Sequence, residues 1–267
     1  VFEKSKKNQR ALKRFKLKFE LIKKIDKKIS ECDFVIICAP LSEYKKIFLA
    51  CNKYLKKNIL ITDVGSAKKN LITKIKRIKR KDINWISSHP IAGSEVSGPL
   101  NGNENLFLNK WSVIIKQKDS QNKEMKKILK FWKLLGSKTV TMDAVQHDKI
   151  FAITSHLPHL IAYNLILTAI NFKISNKDNV LRFSAGGLRD FSRIAASNEI
   201  MWRDIFFNNK SNMLKVIDLF IKNLKIFKQD IKSNRKNLET KLKNLKKVRQ
   251  KIVLLKQDTS KPDFGRI

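Results

Sequence analysis

Acidic residues are scarce in this chain. Asp and Glu together number 23 against 58 Lys and Arg, a formal net charge of +35 over 267 residues. Taken alone, that imbalance points to a nucleic-acid or anionic-membrane partner. The distribution argues otherwise, because the lysines are spread over nearly every amphipathic segment beside abundant Ile and Asn, as drift toward A/T-rich codons produces. No aromatic-interleaved basic stripe, zinc knuckle or helix-turn-helix pattern accompanies them. We therefore expect a solvated lysine surface rather than specific nucleic-acid binding, with a field that still draws in a small polyanion. Cysteine is also sparse. Cys32, Cys38 and Cys51 are odd in number and lack metal-ligand spacing, which predicts reduced thiols, no disulfide framework and no metal site. No apolar run approaches the ~20 residues of a spanning helix and no leader pattern opens the chain, so a cytoplasmic protein without a membrane partner is expected.

What is present is enough for a folded core: 42% of residues are hydrophobic. Up to about residue 142, short apolar runs (DFVIICAP, NILITDVGS, INWISSHP, WSVIIKQ, KTVTMD) alternate with segments of three-to-four apolar spacing (LSEYKKIFLACNKYL, SAKKNLITKIKRI, KEMKKILKFWKLLG). That alternation predicts a mostly parallel sheet flanked by helices. Each helix is expected to open near Ser or Asp, and the last to close on Gly136. Beyond Asp143 no strand pattern remains, so residues 143–258 are expected to be helical, with 259–267 a tail. In the last long segment Ile217, Leu224, Ile231, Leu238, Leu245 and Ile252 fall seven apart, a seam that should bury one face against other helices, within the subunit or between subunits.

Two strands end in small polar clusters, TDVGSAK and SSHPIAGSE, and open α/β sheets bind ligands beyond the carboxyl ends of their strands. Ser66 and His89 should therefore face one crevice. His156 and His159 lie in SHLPH, and a third segment, AGGLRDFSRIAASNEIMWRD, sets Asp190, Arg193, Trp202, Arg203 and Asp204 among small residues. Arg193 offers a planar fork suited to a carboxylate.

DVGSAK, HPIAGSE, the His-Asp pair of AVQHDK, SHLPH, GGLRDFSRIA and MWRDIF, in this order, resemble the prephenate and arogenate dehydrogenases of tyrosine biosynthesis over nearly the whole chain. The tail QDTSKPDFGR is similar to the cyclohexadienyl dehydrogenase subgroup. The resemblance implies a Rossmann-like α/β nucleotide-binding domain over residues 1–142, then an all-α dimerisation domain that makes a homodimer. It implies oxidative decarboxylation of prephenate, or of arogenate, with hydride transfer to NAD(P). By the same carry-over His89 accepts the proton of the substrate hydroxyl and Ser66 hydrogen-bonds that hydroxyl or orients the imidazole. Arg193 binds a substrate carboxylate, His156 and His159 hold the other end of the substrate, and Asp190 and Trp202 shape or gate the pocket. Pro40, Asp63 and Gly65 are implied at the cofactor, and His147 is given a structural role at the start of a long helix.

The chain departs from the family pattern at its beginning. Members open with a strand and a GxGxxG-type turn that cradles the pyrophosphate, and this sequence contains neither. VFEKS resembles the end of the second strand, where Glu3 would hold the adenosine ribose. The expectation is a chain lacking its first βα unit and binding cofactor weakly. NAD is favoured by Glu3, with NADP the alternative offered by Lys4, Lys6 and Lys7. Two other readings are a basic nucleic-acid-associated protein on an old dehydrogenase fold, and a different two-domain dehydrogenase of the 6-phosphogluconate-like type.

Overall fold

The computed structural model describes residues 1–15, 18–93, 95–117, 121–172, 180–234 and 236–255. Ser94 and the whole QDTSKPDFGR tail lie outside the described residues. The chain forms two compact units, Val1–Val216 and Ile217–Ile267.

After helix α1 (Lys6–Leu12), the first unit carries a parallel trio of strands, β1 (Phe34–Ile37), β2 (Leu60–Asp63) and β3 (Asn84–Trp85), ordered β1-β2-β3. Helices α2 (Tyr44–Asn52) and α3 (Lys69–Lys76) connect them. A second trio is β4 (Ser88–Pro90), β5 (Trp111–Ile115) and β6 (Lys138–Met142), with α4 (Asn122–Leu134) between the last two. Here β5 pairs antiparallel with β4 and parallel with β6. The sequence suggested one continuous run at INWISSHP. Instead the run passes from one sheet to the other, and side chains stitch the seam: the Thr62 hydroxyl donates to the Ile86 carbonyl at 2.7 Å and the Ser88 hydroxyl to the Asp63 carbonyl at 2.7 Å.

Burial explains the strand sequences. β2 is inaccessible on both faces, with Ile61 packed among Tyr44, Phe48, Ile75 and Trp85, and Leu60 on the opposite side with Ile86, Ile114, Ile128 and Trp132. A strand covered on both sides needs an unbroken apolar run rather than alternation. Each such side chain contributes about 1.5–3 kcal/mol relative to exposure. Gly136 closes α4 at φ 82°, a conformation open to glycine, and an added Cβ would lie 2.9 Å from Leu108.

After β6 the described chain is helical: α5 (Ala144–Phe151), α6 (Leu157–Asn171), α7 (Gly186–Ala195), α8 (Glu199–Asn208), α9 (Lys210–Lys232) and α10 (Leu238–Leu254). Asp143 caps α5 by accepting from Val145 and Gln146. A π-turn over Ala152–His156 joins α5 to α6, because Pro158 has no N–H to give to the preceding turn. The joined rod, Ala144–Asn171, runs 28 residues and is long and apolar enough to cross a membrane by length and composition, although no single apolar run in the sequence reaches that length. His147, Asp148 and His156 on this rod are all buried among polar partners.

Two helix starts are capped across the fold rather than locally. Neither Ser66 nor any side chain of its own caps α3; Asp148 of α5 accepts the backbone N–H groups of Lys68 and Lys69, both at 2.9 Å. The turn Leu41–Glu43 that leads into α2 receives Asp204 of α8 on the Ser42 N–H at 2.8 Å.

In the second unit the heptad row does not run along one helix. The turn between α9 and α10 holds Asn234 at φ 47° and breaks the row between Ile231 and Leu238. Lys241, which interrupts the seam, pairs with Asp230 and lies over the Phe227 ring. Leu224, Ile231, Leu245 and Ile252 are exposed in the single chain.

Candidate active site

β2 runs into the loop Val64–Lys68, and this loop is organised from beneath by a buried ion pair. The Lys68 ammonium lies 2.7 Å from Asp63, and neither side chain is accessible. Asp63 also accepts from the Trp85 indole at 3.0 Å, the Gly65 N–H at 3.0 Å and the Tyr44 hydroxyl at 3.3 Å. Burial pulls the Lys68 pKa down while Asp63 and Asp148 oppose the fall. A second bond from Lys68, to the Ser88 carbonyl at 2.6 Å, ties the loop to the strand that carries His89. Asp63, expected at a cofactor, has its carboxylate enclosed and engaged by these partners, through which it holds the loop above it. Nothing in the sequence marks Lys68 among the chain's other lysines except the small residues that precede it.

His89 on β4 is 8% exposed, with its ring edge-on to Phe151 at 4.9 Å. Its Nδ1 lies 2.8 Å from Nε2 of His147, and Nδ1 of His147 lies 2.8 Å from Oδ1 of Asp148. His147 and Asp148 are fully buried. His147, expected to orient a helix, thus contacts the ring of His89 directly, and the adjacent His-Asp pair in QHDK is the signal that could have shown it. Burial holds His89 well below the usual histidine range, and His147, Lys68 and His156 add to the effect. Burial lowers His147 as well, opposed by Asp148. Both rings are neutral at pH 7. Nε2 of His89 has no hydrogen bond among the described residues and is the ring's outward nitrogen. The Pro90–Gly93 segment follows at once, with Gly93 at φ 136°.

A second cluster adjoins the first through Asn209. Its amide donates to the Asp148 backbone carbonyl at 2.8 Å and lies 3.1 Å from Nδ1 of His156. That leaves the His156 proton on Nε2, which is buried and finds no acceptor among the described residues. Burial lowers His156 to about 4. His159 stacks on Trp202 with ring centroids 3.7 Å apart and donates from Nδ1 to the Ser155 carbonyl at 3.0 Å. The buried Trp202 N–H finds no acceptor among the described residues. A buried donor of this kind calls for a partner.

Arg193 and Asp190 sit on α7, Arg193 exposed and Asp190 half-buried. Arg193 forms an ion pair with Glu95, which lies in the same SSHPIAGSE segment as His89, so the structure joins the arginine to the histidine loop through a residue the sequence reading left without a role. Ser66 is half-buried beside Gly65 in the β2 loop.

The positions expected at a cofactor form a separate group. Pro40 follows β1, and its carbonyl accepts the Glu43 N–H at 3.0 Å. Gly65 faces this turn so closely that an added Cβ would lie 2.6 Å from Leu41 and 3.1 Å from the Tyr44 hydroxyl. Glu3 accepts from the Ser5 N–H at 2.7 Å and from the Asn8 amide at 3.4 Å, at the start of α1. An acid and two closely packed, side-chain-poor strand-end loops fit the ribose and nicotinamide portions of a dinucleotide.

Comparison with known proteins places both parts of the chain. The family model described as prephenate dehydrogenase, nucleotide-binding domain, matches residues 2–141, and that described as prephenate dehydrogenase, dimerization domain, matches residues 143–247. The cyclohexadienyl dehydrogenase of Zymomonas mobilis is 34% identical over 205 residues, 77% of this chain and 70% of that protein. The prephenate dehydrogenase of Lactococcus lactis is 31% identical over 207 residues, 75% of this chain and 56% of that protein, so the chain spans little more than half the length of this relative. Among solved structures, the prephenate dehydrogenase of Aquifex aeolicus in complex with hydroxyphenyl propionate and NAD+ superposes with a TM-score of 0.81 at 33% identity, covering 87% of this chain and 81% of that one.

Proposed function

The chain belongs to the prephenate dehydrogenase family, and from that membership and the geometry of its histidines we propose that it converts prephenate to 4-hydroxyphenylpyruvate with NAD as hydride acceptor. The observation that carries the reading is His89, a buried neutral imidazole whose Nδ1 is engaged and whose Nε2 is open.

Prephenate has a ring hydroxyl at C4, a ring carboxylate and a pyruvyl carboxylate. As the hydride leaves C4, the O–H bond of the hydroxyl breaks toward His89 Nε2, where a neutral imidazole holds a lone pair. The bond to the ring carboxylate then breaks, carbon dioxide leaves, and its electron pair completes the aromatic ring. The oxygen regains its proton from the His89 imidazolium, so acid and base duties close on one residue. Bound NAD supplies the acceptor for the hydride. Glu3, Pro40 and Gly65 are the residues of this chain that would hold it, and Asp63 supports Gly65 from below.

Ser66 is proposed to hydrogen-bond the same hydroxyl. Arg193 would exchange Glu95 for a substrate carboxylate, since a planar guanidinium binds either bidentately. His156, His159 and the unpartnered Trp202 N–H would hold the far end of the substrate, with Asp190 shaping that wall. We propose residues 1–142 as the dinucleotide-binding domain and 143–258 as the helical domain, in a cytoplasmic homodimer. Ile153, Leu165, Leu167 and Ile170, all exposed on the α5–α6 rod, and the exposed seam of the second unit are apolar surfaces that a second copy would cover.

Turnover is tested by supplying prephenate and NAD, raising the cofactor to saturation, and following reduced nicotinamide together with carbon dioxide. Both are expected to appear in equal amounts. Saturating cofactor and prephenate with no reduction would overturn the reading. Arogenate, which differs in carrying an amino in place of the side-chain keto group, is compared under the same conditions.

A further inference from the structure

We infer that His147 and Asp148 are positioning residues that lock His89 in the tautomer with its proton on Nδ1, so that Nε2 always presents a lone pair to the substrate hydroxyl; this rests on the dehydrogenase reading. The assignment follows from donors and acceptors alone. Oδ1 of Asp148 receives the Lys68 N–H and Oδ2 the Lys69 N–H, both at 2.9 Å, so the carboxylate is fixed in place as an acceptor. Nδ1 of His147, 2.8 Å from Oδ1, must carry its ring's proton. A neutral imidazole has one N–H, so His147 Nε2 is a lone pair. His89 Nδ1, 2.8 Å from that lone pair, must then be the donor. The opposite tautomer of His89 would set two lone pairs against each other in a site closed to water.

The surroundings support the same order. Burial keeps both rings neutral, and the Lys68 ammonium, paired with Asp63, disfavours a second cation nearby. When His89 takes up a proton at Nε2, its Nδ1–H is already donated to a ring whose dipole Asp148 has oriented. The cation therefore forms without rearrangement of its partners. The logic is that of a Ser-His-Asp triad with one further imidazole between base and carboxylate.

Ring-labelled 15N-histidine spectra of the protein read the tautomers directly, with the His89 signals identified by their loss in His89→Gln. The wild-type His89 is expected to be protonated on Nδ1. In His147→Phe, which removes the acceptor while keeping a flat buried ring, an Nε2–H form of His89 should appear. With prephenate, kcat should fall by roughly 10- to 1,000-fold while KM changes less than about threefold. A wild-type His89 protonated on Nε2, or an unchanged Nδ1–H tautomer in folded His147→Phe, would overturn the lock. The wild-type spectrum decides alone if the variant does not fold. An Nδ1–H tautomer in a wild-type protein that does not turn over prephenate would leave the lock standing and remove the dehydrogenase reading instead.

Discussion

Asp204 accepts the backbone N–H of Ser42 at 2.8 Å, so the turn that begins α2 is capped by a residue 162 positions further along the chain. Asp204 is nearly inaccessible and takes a second bond from its neighbour Arg203. It joins a strand-end loop of the sheet to the helical part of the same compact unit.

Replacing Asp204 with Ala should cost about 0.5–2 kcal/mol, the usual cost of a lost cap, and more if the Ser42 N–H stays buried without an acceptor. Urea unfolding measures it. A midpoint equal to wild type would show that the Ser42 contact adds nothing to stability.

His89→Asn should lower kcat by ~10²–10⁴ with little change in prephenate affinity, because the side chain stays polar but loses the proton-accepting nitrogen. Steady-state kinetics against prephenate provide the check. A variant with near wild-type kcat would remove His89 from the role of acceptor.

Arg193→Ala should raise KM for prephenate by roughly 10- to 150-fold, equivalent to the ~1.5–3 kcal/mol of a charge-assisted bond. Glu95→Gln should move KM the other way, since it releases the guanidinium from its partner in the free protein. If both substitutions leave KM alone, the carboxylate is bound elsewhere, with Arg203 the next residue to test.

Stability should fall in mild acid. His89, His147, His156 and His159 all release their protons more readily when folded than the ordinary 6.5, so the unfolded chain binds more protons below that pH. For these groups stability is complete above about 6.5 and is lost as pH falls toward the folded values. His156 alone, at about 4, accounts for roughly 3 kcal/mol across that window. Thermal melts between pH 7.5 and 5 should show a falling Tm, smaller in His156→Asn. A flat profile would mean that these rings are not buried neutral in solution.

Much of the architecture was legible because the signals were local. A strand enclosed on both faces requires a run such as NILITD, and amphipathic helices announce themselves by spacing. The histidine segments were equally visible as departures from a lysine-rich background. What was hidden depends on partners far away in sequence. Lys68 looks like any other lysine until Asp63 and the Ser88 carbonyl enclose it. Asp148 looks like an ordinary residue in the first turns of a helix, yet it caps a different helix altogether. The heptad row continued smoothly through residues 233–237, where Asn234 turns the backbone, because hydrophobic spacing carries no information about a reversal that preserves its phase.

The three bonds on the Asp148 carboxylate make it a poor target for separating sturdiness from turnover. The same two oxygens start α3 and orient His147, so one substitution disturbs both at once. A mutational scan scored only by abundance in cells would mark position 148 as intolerant, and a scan scored by growth without tyrosine would mark it the same way. Only the neighbour can tell them apart: a substitution at His147 that keeps Asp148 bound to the α3 amides should pass the first screen and fail the second.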